Sequence, residues 1–294
     1  REGSQAAMSS DFAIPRFRHL RRALMVHGHW VYRRNALVAI IMIYKNIVFI
    51  FAQLWFEFDA LWSPTSFYAD FVMSFFNLFF TVLPPFIFGF WEQDLPQDVL
   101  LKNPELYKCE FDPMSVGYLV YYIILGTYQS VACYYGPRLT MQDFDLRENS
   151  MITYLAAVYV VIVQIILWMG FQNTWTYCVW AINIVLVPVI IIVNIITSNI
   201  QLKSIVYHCF ASAVAWMTFL ICVVAAILPG FLIDYTKQRY FPTKHRIYME
   251  RYHLSKTGKA RKTWAYENSF IDGIIETEEP YTEEVIETEN NDEL

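Results

Sequence analysis

The chain holds 294 residues, 56% hydrophobic, 18% aromatic and only 17% charged, with a formal net charge of -5 and a mean hydropathy of +0.32. Several apolar runs near twenty residues set it apart from a soluble globular domain and place it among polytopic helical membrane proteins. The net charge misleads, because residues 263–294 carry eleven acidic side chains and no Lys or Arg, while the basic residues gather beside the apolar runs. No nucleic-acid partner is expected from that distribution.

In chain order, the first residue is Arg1 and the opening is polar. No basic segment followed by an apolar core and cleavage site is present, so no signal peptide is expected and the start reads as the interior of a longer protein. Residues 1–14 read as the end of a soluble domain: Gly3, the small residues Ser4 to Ala7 and Ser9-Ser10-Asp11 suit a turn, a helix and a loop. Residues 15–35 are basic and aromatic, with Arg16, Arg18, Arg21, Arg22, Arg33 and Arg34 among Phe17, Trp30 and Tyr32. That pattern predicts a cytoplasmic stalk running into the first membrane span. His27-Gly28-His29 has no third ligand near it in sequence, and no metal site is expected.

Residues 36–56 form the first span. At ~1.5 Å per residue they reach ~30 Å, about the hydrocarbon thickness. Lys45 sits at the middle, too deep to snorkel to the headgroups. An ammonium there costs ~2.5–3.5 kcal/mol on insertion scales, so it is expected to face other helices or a wet cavity. Asn46 beside it adds a second polar group. The second span, 67–91, contains Asn77 and is interrupted by Pro84-Pro85. These prolines remove two backbone donors and free the carbonyls of Phe80 and Thr81, which predicts a kink or broken helix. Broken helices create polar sites at mid-depth, and an ordinary proline kink is the plainer alternative.

A polar loop follows from Glu92. Further spans are expected at 115–135 with Gln129 inside, 151–170 with Gln164 inside, 175–198, and 207–233. The expected fold is therefore all-α, a polytopic bundle of six transmembrane helices. With the N-terminus cytoplasmic, the inside segments hold eighteen of the 22 basic residues. The positive-inside rule then places both ends in the cytoplasm. Residues 234–262 read as a basic juxtamembrane segment and 263–294 as an acidic disordered tail. The final Asn291-Asp292-Glu293-Leu294 is similar to a retention signal read in the lumen of the endoplasmic reticulum, which that topology discounts. The five cysteines lack metal-ligand spacing and mostly fall in apolar runs, where thiols are small hydrophobes. Cys133 and Cys209 form the one plausible disulfide pair.

From these residues alone three readings stand. One is a substrate path through the bundle lined by Lys45 and Asn46, another a channel or secondary transporter binding an anion at Lys45. The third is a scaffold in which Lys45 only partners Asn77, Gln129 or Gln164. A resemblance separates them. Glu2-Gly3-Ser4-Gln5-Ala6, Val26-His27-Gly28-His29-Trp30, Tyr44-Lys45-Asn46, Phe76-Asn77 and Phe80-Thr81-Val82-Leu83-Pro84-Pro85 resemble the C-terminal membrane half of the type IV P-type ATPases, the phospholipid flippases. The likeness extends to about Tyr248. Asp94-Leu95-Pro96, Pro104-Glu105-Leu106-Tyr107-Lys108 and Tyr128-Gln129-Ser130 look closest to the class 5 branch.

The resemblance implies that residues 1–14 end a cytoplasmic phosphorylation domain and that Lys45, Asn46 and Asn77 line the route of a lipid headgroup. It implies movement of phospholipid from the exoplasmic to the cytoplasmic leaflet, with phosphatidylcholine or glucosylceramide as the favoured cargo. ATP and Mg2+ are the expected cofactors of the full-length protein, and an accessory beta subunit is an expected partner. The plasma membrane or an endomembrane (Golgi, endosome or endoplasmic reticulum) is the expected location. The family's DKTGT and GDGxND motifs do not occur in this sequence. No catalytic residue, bound cofactor or metal is therefore expected in this chain, and ATP hydrolysis is expected elsewhere in the full-length protein.

Overall fold

The computed structural model describes residues 2–10, 12–68, 73, 76, 81–107, 114–169, 177–178, 180–182, 184–185, 207–242, 246–250 and 252. It divides into two compact units, Arg1–His245 and Arg246–Leu294. In the second, residues 246–250 are helical. The first is a helical bundle, and no strand occurs among its described residues.

Helix α1 spans Glu2–Ser9, where the Ser10 hydroxyl donates to the Ala7 carbonyl at 3.1 Å and closes its last turn. Helix α2 runs unbroken over His19–Asp59. Pro15 and Pro64 bracket it, and between them Gly28 is the only helix-weakening residue. Its 41 residues reach ~60 Å, enough for a stalk and a span in one rod. Within it Ala23–Gly28 forms a π-helical segment. The rod ends where Leu61 and Trp62 turn into the left-handed region, at φ 54° and 60°.

Helix α3 (Leu83–Trp91) and the short α4 (Gln97–Lys102) follow, then a 3-10 turn over Pro104–Tyr107. Helices α5 (Val116–Thr140), α6 (Leu146–Trp168) and α7 (Ala213–Tyr240) complete the described bundle. Four of these helices are long and apolar enough to cross a membrane: α2, α5, α6 and α7. The expected second span includes α3, but much of its first half lies outside the described residues, as does most of the expected fifth.

Two boundaries differ from the sequence expectation. The polar loop expected over 136–150 shrinks to 141–145, because α5 continues through Pro137 to Thr140 and α6 starts at Leu146. A capping box explains the early start: the Asp145 side chain accepts from the third backbone N–H while Glu148 accepts from the Asp145 N–H. Helix α7 also outruns its expected end at 233. Lys237 and Arg239 fall in its last turn, where cations oppose the negative end of the helix dipole.

Helix α6 is the axis of the bundle. It is apolar all round and buried along most of its length, as such a helix must be. Helix α7 lies at the periphery. It turns Ala215, Thr218, Cys222, Ala226 and Gly230 inward at three- and four-residue spacing, small residues that let helices approach closely. Trp216, Leu220, Val224 and Phe231 point outward. Cys133, Cys178, Cys209 and Cys222 are free thiols, so the Cys133–Cys209 pairing does not form.

Helices α2 and α5 are laced together along their length. Trp55 donates to the Ser130 hydroxyl at 2.9 Å, Tyr134 donates to Asp59 at 2.8 Å, and Arg138 pairs with Asp59 at 3.0 Å. They pack tightly at Gly126, where a Cβ would meet Ile47 at 3.1 Å and Tyr44 at 3.4 Å. A larger side chain there must push α5 off α2. Gly126→Leu is expected to cost about 1–3 kcal/mol through overpacking, seen as a lowered thermal midpoint in detergent. Gly117→Leu, with nothing within 4 Å of its Cβ position, is the control expected to leave the midpoint unchanged.

Candidate functional site

Lys45 lies within the described bundle and is only 3% exposed. It does not face lipid. Its ammonium donates to the Thr81 hydroxyl at 3.0 Å and to the Thr81 carbonyl at 3.4 Å. Thr81 is fully buried, and its hydroxyl donates onward to the Phe76 carbonyl at 2.8 Å.

The double proline makes this contact available. Residues 81 and 82 form a bend, and α3 starts just beyond it with Pro84 and Pro85 in its first turn. There a missing N–H breaks no helical bond. The cost falls upstream: an uninterrupted helix would pair the Thr81 carbonyl with the N–H of residue 85, and proline has none. That buried carbonyl accepts from the lysine instead. The break expected from the sequence is present, and both prolines are buried within it.

An ammonium carries three donors, and among the described residues hydrogen bonds from Lys45 reach the two Thr81 oxygens. Lys45 forms no ion pair among the described residues. Among the described residues the site is thus a buried cation held by neutral oxygens, with no carboxylate paired to it. One turn further along the same face, Phe49 stacks on Tyr68 and Phe76 at centroid distances of 4.6 and 4.0 Å. Tyr154 meets Phe49 edge-on at 6.1 Å.

Asn46 is half-buried. Asn77 lies outside the described residues, so its approach to Lys45 is not placed. Gln129 and Gln164, considered as structural partners for the lysine, bond elsewhere. Tyr44 donates to the Gln129 side-chain Oε1, and Gln129 Nε2 donates to Gln164 Oε1 at 3.0 Å. This relay ties α2, α5 and α6 on a different face of α2 from Lys45. Gln129→Leu leaves the Tyr44 hydroxyl and the Gln164 amide without these partners in a dry interior. It is expected to cost about 1–3 kcal/mol, read as a lower thermal midpoint.

At the stalk, His29 is buried and held by hydrogen-bond contacts, and no cluster of three His, Cys, Asp or Glu occurs among the described residues. Its Nε2 lies 2.7 Å from Asp94 Oδ2 and its Nδ1 lies 3.3 Å from the Tyr107 carbonyl. Both partners are acceptors, so this geometry satisfies both ring nitrogens as the imidazolium. Arg33 approaches the same carboxylate at 3.5 Å. Sequence reasoning missed this pair and missed Thr81 as a partner. The only signal for Thr81 was its position four residues before Pro85.

Residues 7–243 match the family described as Phospholipid-translocating P-type ATPase C-terminal. The chain is 32% identical over 257 residues to human Phospholipid-transporting ATPase VA, covering 83% of this chain and 17% of that protein. It is 40% identical over 147 residues to human Phospholipid-transporting ATPase VB, covering 49% of this chain and 10% of that one. Against Phospholipid-transporting ATPase DRS2 of Saccharomyces cerevisiae it is 31% identical over 273 residues, covering 86% of this chain and 20% of the relative. The chain therefore spans a fifth or less of the length of these three relatives. A match over most of the chain, on helices whose buried lysine meets a proline-broken partner, makes this chain a member of the phospholipid-translocating P-type ATPase C-terminal family.

Proposed function

We propose that the chain is part of the transport half of an ATP-driven phospholipid flippase, with Lys45, Asn46 and Asn77 lining the headgroup route. The observation that carries this reading is the buried ammonium of Lys45, which bonds the two oxygens of Thr81 and forms no ion pair among the described residues. A buried charge without a counter-ion is costly, and a phosphodiester supplies the missing negative charge through a charge-assisted hydrogen bond. The acyl tails remain in lipid meanwhile. The names of the relatives, all phospholipid-transporting ATPases, favour the same chemistry.

In this reading lipid moves from the exoplasmic to the cytoplasmic leaflet, and six spans leave both ends in the cytoplasm. ATP and Mg2+ act in parts of the full-length protein beyond this sequence, whose phosphorylation moves the stalk. Phosphatidylcholine and glucosylceramide are the candidate cargoes, and the isolated charge of Lys45 favours the phosphodiester. An accessory beta subunit is a partner, and the plasma membrane or an endomembrane of the Golgi, endosome or endoplasmic reticulum is the location.

The test is reconstitution of the full-length protein in vesicles with headgroup-distinguishable fluorescent lipids. ATP-dependent loss of phosphatidylcholine analogue from the leaflet opposite the ATP-hydrolysing side supports the reading. Lipid or anion movement that proceeds equally well without nucleotide contradicts it.

A further inference from the structure

The stalk half of α2 is clasped by the segment that leaves α3, and the clasp is extensive. Arg21 donates to the Leu101 carbonyl at 3.0 Å and Arg22 to Gln97 at 2.8 Å. Trp30 donates to the Leu95 carbonyl at 3.1 Å, and Arg34 donates to the Glu92 carbonyl. Leu95, Leu100 and Leu106 are buried along the clasp and Val26 is buried on the stalk. At the centre His29 and Asp94, 3% and 4% exposed, form the 2.7 Å contact. The Leu95 N–H fixes the other oxygen of Asp94 at 2.8 Å.

Two rods are thereby pinned at two places. His29 and Lys45 lie on one uninterrupted α-helical stretch, sixteen residues or ~24 Å apart at the helical rise. Asp94 lies three residues past the end of α3, and Thr81 two residues before its start. The first pin is the Lys45–Thr81 contact and the second is His29–Asp94. Between them α3 lies close on α2, with a Cβ at Gly89 meeting Val38 at 3.4 Å. Helix α2 is continuous between the two pins, and on the other side the bend at 81–82 and residues 92–94 join both pins to the short helix α3.

The stalk just beyond the second pin differs. Ala23–Gly28 is π-helical and ends immediately before His29. Such segments are rare and are frequent at functional sites. The arrangement is a π-helical turn, then a buried pin, then helices α2 and α3 leading to the lysine.

We infer that His29 and Asp94 are positioning residues that transmit stalk movement through α2 and α3 to the Lys45–Thr81 contact. This rests on the lipid-path reading of Lys45 and adds the residues that open it. In each cycle the stalk pulls on the pin, the pin shifts α3 against α2, and the ammonium leaves Thr81 for the headgroup. Breaking the pin leaves lipid binding in place and disconnects it from the phosphorylated domain.

The experiment compares Asp94→Asn and His29→Gln with unmodified full-length protein. It reads phosphoenzyme formed from ATP, lipid-stimulated turnover per phosphoenzyme, and the half-saturating phosphatidylcholine concentration. For both variants phosphoenzyme is expected at the unmodified level. Maximal stimulated turnover per phosphoenzyme should fall about tenfold or more, with half-saturation moving less than about threefold. The double variant is expected to be no worse than the worse single one, as for two residues acting as a unit. Lys45→Met should lower turnover and, unlike the pin variants, raise half-saturation well beyond about threefold. A merely structural role would lower folded enzyme, phosphoenzyme and turnover together and leave turnover per phosphoenzyme unchanged, which overturns the inference. Failure of both variants to fold overturns it too, as does unmodified stimulation in both. If unmodified protein shows no lipid stimulation, the reading of Lys45 fails and this inference falls with it. Normal stimulation in the unmodified protein and in both pin variants sinks the inference alone.

Discussion

Lys45→Met is expected to lower lipid-stimulated ATP turnover of the full-length protein by about tenfold or more, with the folded fraction close to that of the unmodified protein. Methionine keeps the unbranched stem and removes the charge. Two opposed effects keep stability nearly level. Removing a buried ion that lacks a counter-ion relieves a desolvation cost of several kcal/mol. Leaving the Thr81 carbonyl without its donor costs about 1–3 kcal/mol, while the Thr81 hydroxyl keeps its bond to Phe76. Transport has no such offset, because nothing else among the described residues brings a positive charge to Thr81. Lys45→Arg keeps the charge on a bulkier head and is expected to retain part of the stimulation. The assay is lipid-stimulated ATPase activity alongside size-exclusion chromatography. Full stimulation in the methionine variant contradicts the account.

Pro85→Ala is the second large effect, and it acts without touching the lysine. Alanine restores an N–H four residues after Thr81, so the carbonyl that now accepts from Lys45 at 3.4 Å gains a helical partner. The bend at residues 81 and 82 is expected to close into a helix continuous with α3. Gain from the proline replacement is at most about 3 kcal/mol, and smaller here because first-turn prolines are well tolerated. Slower hydrogen exchange at the amides of Val82, Leu83 and Phe86, with protection of the new amide at residue 85, should accompany a roughly tenfold loss of lipid-stimulated turnover. Pro84→Ala frees a donor for the carbonyl of residue 80 instead and should affect turnover less. Unchanged exchange and turnover in Pro85→Ala would mean that the carbonyl plays no part in holding the ammonium.

The sequence made Lys45 conspicuous because a charge inside an apolar run must be explained energetically, whatever the fold. The proline pair was equally legible, since a missing N–H has local consequences that need no tertiary information. Thr81 was not legible. A threonine in a membrane span is ordinary, and only the folded chain brings a carbonyl freed by Pro85 against a lysine thirty-six residues earlier. The Tyr44–Gln129 bond was not legible either, because it depends on how α2 packs on α5 near Gly126. The His29–Asp94 pair joins residues sixty-five apart, a separation at which neither periodicity nor spacing carries a signal. Helix ends failed for a different reason. Polar residues at 143–150 suggested a long loop, although Asp145 and Glu148 are the cap of α6. The likeness to the class 5 branch, read from the segment after α3 and from Tyr128-Gln129-Ser130, agrees with relatives named VA and VB.

The central claim is that the Lys45 ammonium exchanges Thr81 for a lipid headgroup. An experimental structure of the full-length protein, trapped with phosphatidylcholine by a phosphate analogue at its phosphorylation site, tests that claim most directly. The account predicts a phosphodiester oxygen within about 3 Å of Lys45 Nζ, with the Thr81 hydroxyl released from the ammonium. A headgroup bound elsewhere, with the 3.0 Å contact between Lys45 and Thr81 intact, would contradict it.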